Sequence, residues 1–171
     1  MNSPLDPVVN VGLIGFGLSG RYFHAPFLAT NPHFKLSKVV TRNTTSVHDF
    51  DPTIAVVGSA EALLADSEID LVFICTPNDL HFPYAKAALE AGKHVVIEKP
   101  FTNTTDEADI LIALAAEKGL TITAYQNRRW DSDFLTIQAL LRENKLGDIV
   151  EYEAHFDRFR PEVAKGTWKE V

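Results

Sequence analysis

The stretch VVNVGLIGFGLSG, residues 8–20, joins an apolar run to three glycines spaced GxGxxG. The apolar run predicts a buried strand, and the glycines predict a tight turn that opens a helix. In this context Gly15 permits the turn, Gly17 lets the backbone approach a ligand, and Gly20 lets the helix pack closely. Because a helix start attracts phosphate groups, the stretch predicts a dinucleotide site, against the alternative of a bare glycine-rich turn. The predicted contacts are Gly15, Phe16, Gly17, Leu18, Ser19 and Gly20.

Strand and helix signals alternate from this stretch up to residue 125. The predicted strands span residues 8–14, 36–41, 54–57, 71–76, 94–97 and 120–125, and the predicted helices span residues 19–30, 60–65, 80–91 and 104–118. Thr104, with Glu107 three residues later, predicts a capping box at the start of the last helix. Such alternation with short connections predicts an α/β fold with a doubly wound parallel sheet of the Rossmann type.

The pattern changes after residue 125. Residues 131–144 predict a helix, and residues 149–157 alternate apolar and polar side chains, which predicts a half-buried strand of an antiparallel sheet. We therefore expect residues 1–125 to form an NAD(P)-binding Rossmann domain. We expect residues 126–171 to be the incomplete, truncated start of a C-terminal α/β domain for substrate binding and oligomerisation. An unpaired strand there predicts self-association.

Polar segments follow several strands, and in a doubly wound sheet these strand ends gather at the edge where ligands bind. The residues expected at this edge beyond the glycines are Thr41, Arg42, Asn43, Thr76, Pro77, Asn78, Glu98, Lys99, Pro100, Gln126 and Asn127. An NAD site usually has an acidic residue about 20 residues beyond the glycines, to hold the ribose hydroxyl. This chain has Thr41-Arg42-Asn43, and the arginine fork suits a phosphate. The cofactor predicted is NADP, with NAD possible, unless Arg42 is only a solvated surface residue.

Composition limits the classes of function. Of 171 residues 46% are hydrophobic, and the net charge is −7 without a basic cluster, which argues against nucleic acid and anionic membranes as partners. The single cysteine, Cys75, lies in an apolar run and is expected to be a buried hydrophobe. No spacing of ligands indicates a metal site. No apolar run approaches the length of a membrane span, so we expect a cytoplasmic protein.

Two motifs carry a family resemblance. TPNDLH at residues 76–81 and AALEAGKHVVIEKP at residues 87–100 closely resemble the glucose–fructose oxidoreductase / inositol dehydrogenase / rhizopine catabolism (Gfo/Idh/MocA) family. FHAP at residues 23–26 and NRRWDSDF at residues 127–134 resemble its branch of NADP-dependent scyllo-inositol dehydrogenase-like enzymes. The resemblance extends from about residue 11 to about residue 161.

The resemblance implies a catalytic role for Lys99, which would hydrogen-bond the reacting oxygen, while Glu98 would position Lys99 and the nicotinamide ribose. It implies hydride transfer between the nicotinamide and a secondary hydroxyl of a cyclic polyol or sugar, in a homo-oligomer. The family's catalytic aspartate and histidine lie in the second domain and find no match here, so we expect this chain alone to be inactive. The alternatives are a non-catalytic dinucleotide-binding or regulatory module and, more weakly, a structural interaction domain.

Four residues keep two interpretations each. Lys99 is expected at the reacting oxygen, against the alternative of an exposed loop lysine. Asn78 is expected either to cap the helix that follows or to contact the cofactor. His81 is expected either at the nicotinamide pocket, where the resemblance places it, or at the helix surface. His24 is expected to pack beside Pro26 or to reach the same rim, with packing favoured.

Overall fold

The computed structural model describes residues 7–157, 159 and 161. The chain forms two compact units, residues 1–125 and 126–171. The interpretation of these units as a cofactor domain and the start of a substrate domain stays a prediction.

The first unit contains a six-stranded parallel sheet. Its strands are β1 (Val9–Ile14), β2 (Phe34–Val40), β3 (Ala55–Val57), β4 (Leu71–Ile74), β5 (His94–Ile97) and β6 (Ile122–Ala124). The strand order is β3-β2-β1-β4-β5-β6, and every neighbouring pair is parallel. The chain thus moves outward from β1 to β3 and then returns to the other side of β1. This order confirms the predicted doubly wound sheet.

Helices cover both faces of the sheet. They are α1 (Ala25–Thr30), α2 (Thr44–His48), α3 (Ala60–Leu64), α4 (His81–Glu90) and α5 (Thr105–Lys118). Because successive strand side chains point to opposite faces, β1 contributes to two cores. Leu13 packs in a cluster with Leu28 of α1 and Val47 of α2. Ile14 packs in a second cluster with side chains of α3, α4 and α5.

The sequence signals predict the start of α5 correctly, but they miss the turn before α1 and the whole of α2. The predicted capping box is confirmed, since the Thr104 hydroxyl accepts from the Glu107 amide and the Glu107 carboxylate accepts from the Thr104 amide. The predicted helix over residues 19–30 is not a regular α-helix, because Gly20–His24 form a π turn before α1. Pro26 lacks the N–H that a continuous α-helix needs, which accounts for the wider turn. The sequence pattern does not predict α2.

The second unit is described separately. It contains a 3₁₀ turn (Asn127–Trp130) and helix α6 (Ser132–Arg142), within the predicted helical range. The predicted antiparallel strand over residues 149–157 is wrong, since these residues adopt no strand in the structure. A strand needs a neighbour to satisfy its backbone groups, and the described part of this unit provides none. Of the residues beyond 157, only 159 and 161 lie within the described set. Across the described ranges, no helix combines the length and apolar character needed to cross a membrane.

Candidate cofactor and catalytic site

The candidate site lies where the winding of the sheet reverses, between β1 and β4. The Gly15 amide donates to the carbonyl of Val40 at 2.9 Å, and the Cys75 amide donates to the carbonyl of Ile14 at 2.8 Å. The ends of β2, β1 and β4 are therefore held side by side. Ligands of doubly wound proteins bind at such a reversal, outside the carboxyl ends of the strands.

The three motif glycines meet three different surroundings. Gly15 has φ +97°, and a Cβ on it would lie 2.5 Å from the carbonyl oxygen of Cys75. A Cβ on Gly20 would overlap the carbonyl oxygen of Gly15, so the helical segment packs directly on the loop. A Cβ on Gly17 would meet nothing within 4 Å. Two glycines thus close the loop, and the third leaves open space beside the backbone, as a bound pyrophosphate requires.

The other residues of the loop divide between core and surface. Phe16 is 6% exposed, and its ring packs edge-on against Phe50 at 6.1 Å between centroids. Its side chain therefore belongs to the core, and only its backbone is available to a ligand. Leu18 is exposed, and Ser19 is half-buried.

The segment after β4 contains an unpaired hydroxyl. Thr76 Oγ1 is buried and has no hydrogen-bond partner among the described residues. A bound ligand with polar atoms at this edge would satisfy it. Asn78 begins a 3₁₀ turn (Asn78–Leu80), and neither that turn nor α4 has a side-chain cap. Of the two interpretations of Asn78, the structure does not show capping.

The segment after β2 contains one arginine without a partner. The Asn43 side chain caps α2 by accepting from the Ser46 amide at 3.1 Å, and the Thr41 hydroxyl accepts from the Asn43 amide at 3.2 Å. Arg42 is exposed and makes no hydrogen bond or ion pair with the described residues. Its guanidinium is therefore available to an anion, while Asn43 is already used within the chain.

Glu98 and Lys99 are adjacent in sequence but have opposite surroundings. Glu98 is 8% exposed, whereas Lys99 is exposed. His24 Nε2 donates to Glu98 Oε1 at 2.8 Å, and the Lys99 amide donates to Glu98 Oε2 at 3.1 Å. Burial raises the pKa of Glu98, but the hydrogen bond and charge of His24, together with the amide and charge of Lys99, bring it below its usual value. The carboxylate is thus charged at neutral pH and holds the backbone of Lys99.

His81 contacts the segment that follows β4 and the segment that follows β5. It is fully buried, with Nδ1 2.7 Å from the carbonyl oxygen of Pro100 and Nε2 3.0 Å from the carbonyl oxygen of Thr76. The Lys99–Pro100 peptide bond is cis. The burial of His81 contradicts its interpretation as a histidine on the helix surface, and its contact with the cofactor stays a prediction.

Sequence reasoning did not predict that His24 hydrogen-bonds Glu98 or that the Tyr125 ring packs against His24. The His24 ring packs at 4.2 Å from that of Tyr125 and at 5.0 Å from that of Phe73, and its contact with Glu98 fits the alternative that His24 reaches the rim rather than the favoured packing beside Pro26. Its bond to Glu98 joins residues 74 positions apart, for which the FHAP motif was the only sequence signal. The predicted contact residue Asn127 lies in the second unit, in its 3₁₀ turn.

The chain matches known proteins over most of its length. Residues 9–126 match the sequence model of Gfo/Idh/MocA, an oxidoreductase family with an NAD-binding Rossmann fold. The oxidoreductase YdgJ of Escherichia coli K12 is 50% identical over 162 residues, which are 95% of this chain and 46% of YdgJ. IolW of Bacillus subtilis, named scyllo-inositol 2-dehydrogenase (NADP(+)), is 43% identical over 162 residues, covering 95% of this chain and 45% of IolW.

A solved structure shows the same likeness in three dimensions. The structure of YPO2259 from Yersinia pestis superposes with a TM-score of 0.92 at 45% identity, covering 99% of this chain and 48% of that chain. These matches confirm the resemblance predicted from the motifs. The chain spans slightly less than half the length of these relatives.

Proposed function

The chain belongs to the Gfo/Idh/MocA oxidoreductase family, and from this premise we propose that it is the cofactor-binding portion of an NADP-preferring polyol or sugar dehydrogenase. One observation carries the proposal: the glycine loop with open space at Gly17 and the exposed Lys99, oriented by buried Glu98, lie at the same edge of one sheet. The reaction proposed is hydride transfer between the nicotinamide and a secondary hydroxyl of a cyclic polyol or sugar.

The residues present fit a dinucleotide in three places. Gly17 leaves room for a pyrophosphate, and the hydroxyl of Thr76 has no partner within the described chain. Arg42 offers a free guanidinium after β2, where the ribose of a dinucleotide is held in this fold. A planar fork recognises a phosphate better than a hydroxyl, which favours NADP over NAD. The printed name of IolW, a relative at 43% identity, includes NADP(+) and supports this preference.

Lys99 is the group proposed at the reacting oxygen. When bound, the nicotinamide cofactor supplies the hydride acceptor or donor. The exposed Lys99 ammonium donates a hydrogen bond to the substrate oxygen and stabilises negative charge that develops on it. Glu98 holds the Lys99 amide at 3.1 Å and so fixes where the side chain leaves the backbone. The chain itself supplies this orientation and charge stabilisation.

A dinucleotide-binding module without catalysis is the second candidate. It is favoured by the open space at Gly17 and the unpaired hydroxyl of Thr76 among the described residues, which account for cofactor binding and require no turnover. Both candidates predict cofactor binding, and they differ in turnover of a polyol.

The experiment is a fluorescence titration of the 171-residue chain with NADPH and with NADH, for the unaltered chain, Arg42→Ala and Arg142→Ala. Arg142 lies in α6 and serves as the matched control. We expect Arg42→Ala to weaken NADPH binding about 10- to 100-fold, as expected for a charged hydrogen bond, and to leave NADH binding nearly unchanged. Equal affinity of the unaltered chain for both cofactors would overturn the NADP preference. Absence of binding by the folded chain would overturn the function itself.

Turnover separates the two candidates. Polyols and sugars with secondary ring hydroxyls are added to the chain with NADP, and reduction of the cofactor is followed by absorbance. Turnover that Lys99→Met abolishes supports the enzyme, whereas selective NADPH binding without turnover agrees with both candidates, because this chain alone is expected to be inactive.

A further inference from the structure

We use the name Lys99 turn for residues Glu98, Lys99 and Pro100. This turn is held from two sides. The lysine side chain faces solvent, but the groups beside it in the chain make their contacts inward. The two groups that they contact are both buried histidines, His24 and His81. Neither histidine has a part in the chemistry assigned to Lys99.

His24 holds the turn through the Glu98 side chain. It is 2% exposed, and its Nε2 donates to Glu98 Oε1 at 2.8 Å. Its ring packs against those of Phe73 and Tyr125, and the Tyr125 hydroxyl donates to the carbonyl of Phe23 at 3.0 Å. These contacts fix the ring, so His24 presents one donor in one direction. The segment that carries His24 begins at the glycine loop.

His81 holds the turn through the Pro100 backbone. It is the first residue of α4, and its ring bridges the carbonyl oxygens of Thr76 and Pro100 at 3.0 and 2.7 Å. Carbonyl oxygens only accept, so each contact is a hydrogen bond only when the ring nitrogen that faces it carries a proton, and the bridge requires a proton on both Nδ1 and Nε2. The Lys99 turn is thereby tied to the segment after β4, where the unpaired hydroxyl of Thr76 lies.

We propose that His24 and His81 are positioning residues for Lys99, each tying the Lys99 turn to one of the two loops assigned to the cofactor. His24 connects the turn to the glycine loop, and His81 connects it to the segment after β4. The part of this proposal that concerns the cofactor rests on the proposed function. The part that concerns the turn rests only on the contacts above. Because coupling between sites is reciprocal, a change in either loop alters the order of the Lys99 turn, and the reverse.

The test measures hydrogen exchange of the Lys99 amide by NMR in the 171-residue chain. This amide donates to Glu98 Oε2, so its exchange reports whether the carboxylate stays in place. We expect His24→Phe, which keeps an aromatic ring but removes the donor, to speed exchange about tenfold or more. His24→Gln retains a donor at a similar reach and is expected to restore much of the protection. His33→Phe is the control, because His33 is exposed and precedes β2 at the opposite end of the strands.

A measurement on the unaltered chain tests His81 without any substitution. We expect slowly exchanging ring protons on both Nδ1 and Nε2 of His81, with a nuclear Overhauser contact from the Nδ1 proton to Pro100. The absence of a proton from either ring nitrogen would overturn the role of His81 in joining the two segments. Unchanged Lys99 exchange in folded His24→Phe, or equal exchange in His24→Gln and His24→Phe, would overturn the role of His24.

NADPH titrations of the same samples separate this inference from the proposed function. Binding of NADPH with Lys99 exchange insensitive to His24 overturns the positioning role and leaves the function standing. Exchange that responds as expected in a chain that binds no NADPH supports the positioning role and overturns the function.

Discussion

Two alanine substitutions in the glycine loop are expected to have opposite effects on stability and binding. Gly17 lies outside the left-handed region, and a Cβ there meets nothing within 4 Å. Gly17→Ala therefore reduces the freedom of the unfolded chain without strain, which raises the free energy of unfolding by about 0.4–1 kcal/mol. Gly20→Ala places a Cβ on the backbone oxygen of Gly15, which cannot rotate away as a side chain does. Overpacking of this kind lowers the free energy of unfolding by about 1–3 kcal/mol.

Gly17→Ala, the substitution that does not lower stability, is the one expected to weaken the binding of NADPH. In Gly17→Ala the added methyl group occupies the space proposed for the pyrophosphate. A steric conflict of about 1–3 kcal/mol corresponds to an NADPH affinity about 5- to 150-fold weaker. Gly17→Ala thus weakens binding in a chain at least as stable as the unaltered one, a combination that damage to the fold does not produce.

Thermal unfolding and NADPH fluorescence titration measure the two effects on the same samples. At about 2–4 °C per kcal/mol for a chain of this size, we expect Gly20→Ala to lower Tm by about 2–12 °C. Gly17→Ala is expected to keep Tm or raise it slightly. Gly58→Ala is the matched control, because a Cβ on Gly58 also meets nothing within 4 Å and Gly58 follows the edge strand β3. NADPH binding by Gly17→Ala as tight as by Gly58→Ala would refute the placement of the pyrophosphate.

Three further predictions concern charge and capping. The pKa of Glu98 is lowered in the folded state, so its contribution to stability is present above the unfolded value near 4.5 and is lost as pH falls through the folded value. Denaturant unfolding between about pH 3 and 7 should therefore show a flatter pH dependence for Glu98→Gln than for the unaltered chain. Burial, and then the charge of Glu98, raise the pKa of Cys75, so we expect slow alkylation by iodoacetamide at neutral pH and fast alkylation after unfolding. Equal rates would contradict this. Thr104→Ala removes half of the capping box and should lower the free energy of unfolding by about 1 kcal/mol, whereas Thr102→Ala, outside the box, should lower it less.

The fold was predictable because its signals are local and repeated. Apolar runs such as residues 71–74 and 94–97 are short, continuous and followed by polar turns, which is typical of strands buried on both faces. Their alternation with helices leaves few topologies other than a parallel sheet with right-handed connections. That topology then brings the glycine loop and Lys99 to one edge without any knowledge of side-chain packing. The capping box was predictable for the same reason, since all its groups lie within four residues.

The errors arise where structure depends on distant or absent partners. α2 has five residues of which only Val47 is apolar, so no helical pattern is visible there, whereas α3 has the same length but is built of alanine, leucine and glutamate. The pairing of His24 with Glu98 spans 74 positions and depends on how the π turn Gly20–His24 is placed against the residues that follow β5. The alternating pattern at residues 149–157 describes which side chains a strand would bury, but a strand also needs a second strand. The alternating pattern therefore predicts only a tendency to form a strand, and pairing with a second strand decides whether the strand forms.

The energetics of Glu98 favour a functional explanation for its burial. A buried carboxylate is unfavourable unless it is paired, and His24 and the Lys99 amide supply the pairing here. Apolar side chains of the same volume often give equal or greater stability than a buried pair, so stability alone does not explain a charge at this position. The directions of the two carboxylate oxygens of Glu98 explain the charge. One oxygen faces the His24 ring, which is fixed among aromatic side chains, and the other faces the backbone of Lys99. Lys99 has to remain exposed to meet a substrate and still keep its orientation, and a rigid buried neighbour provides that combination.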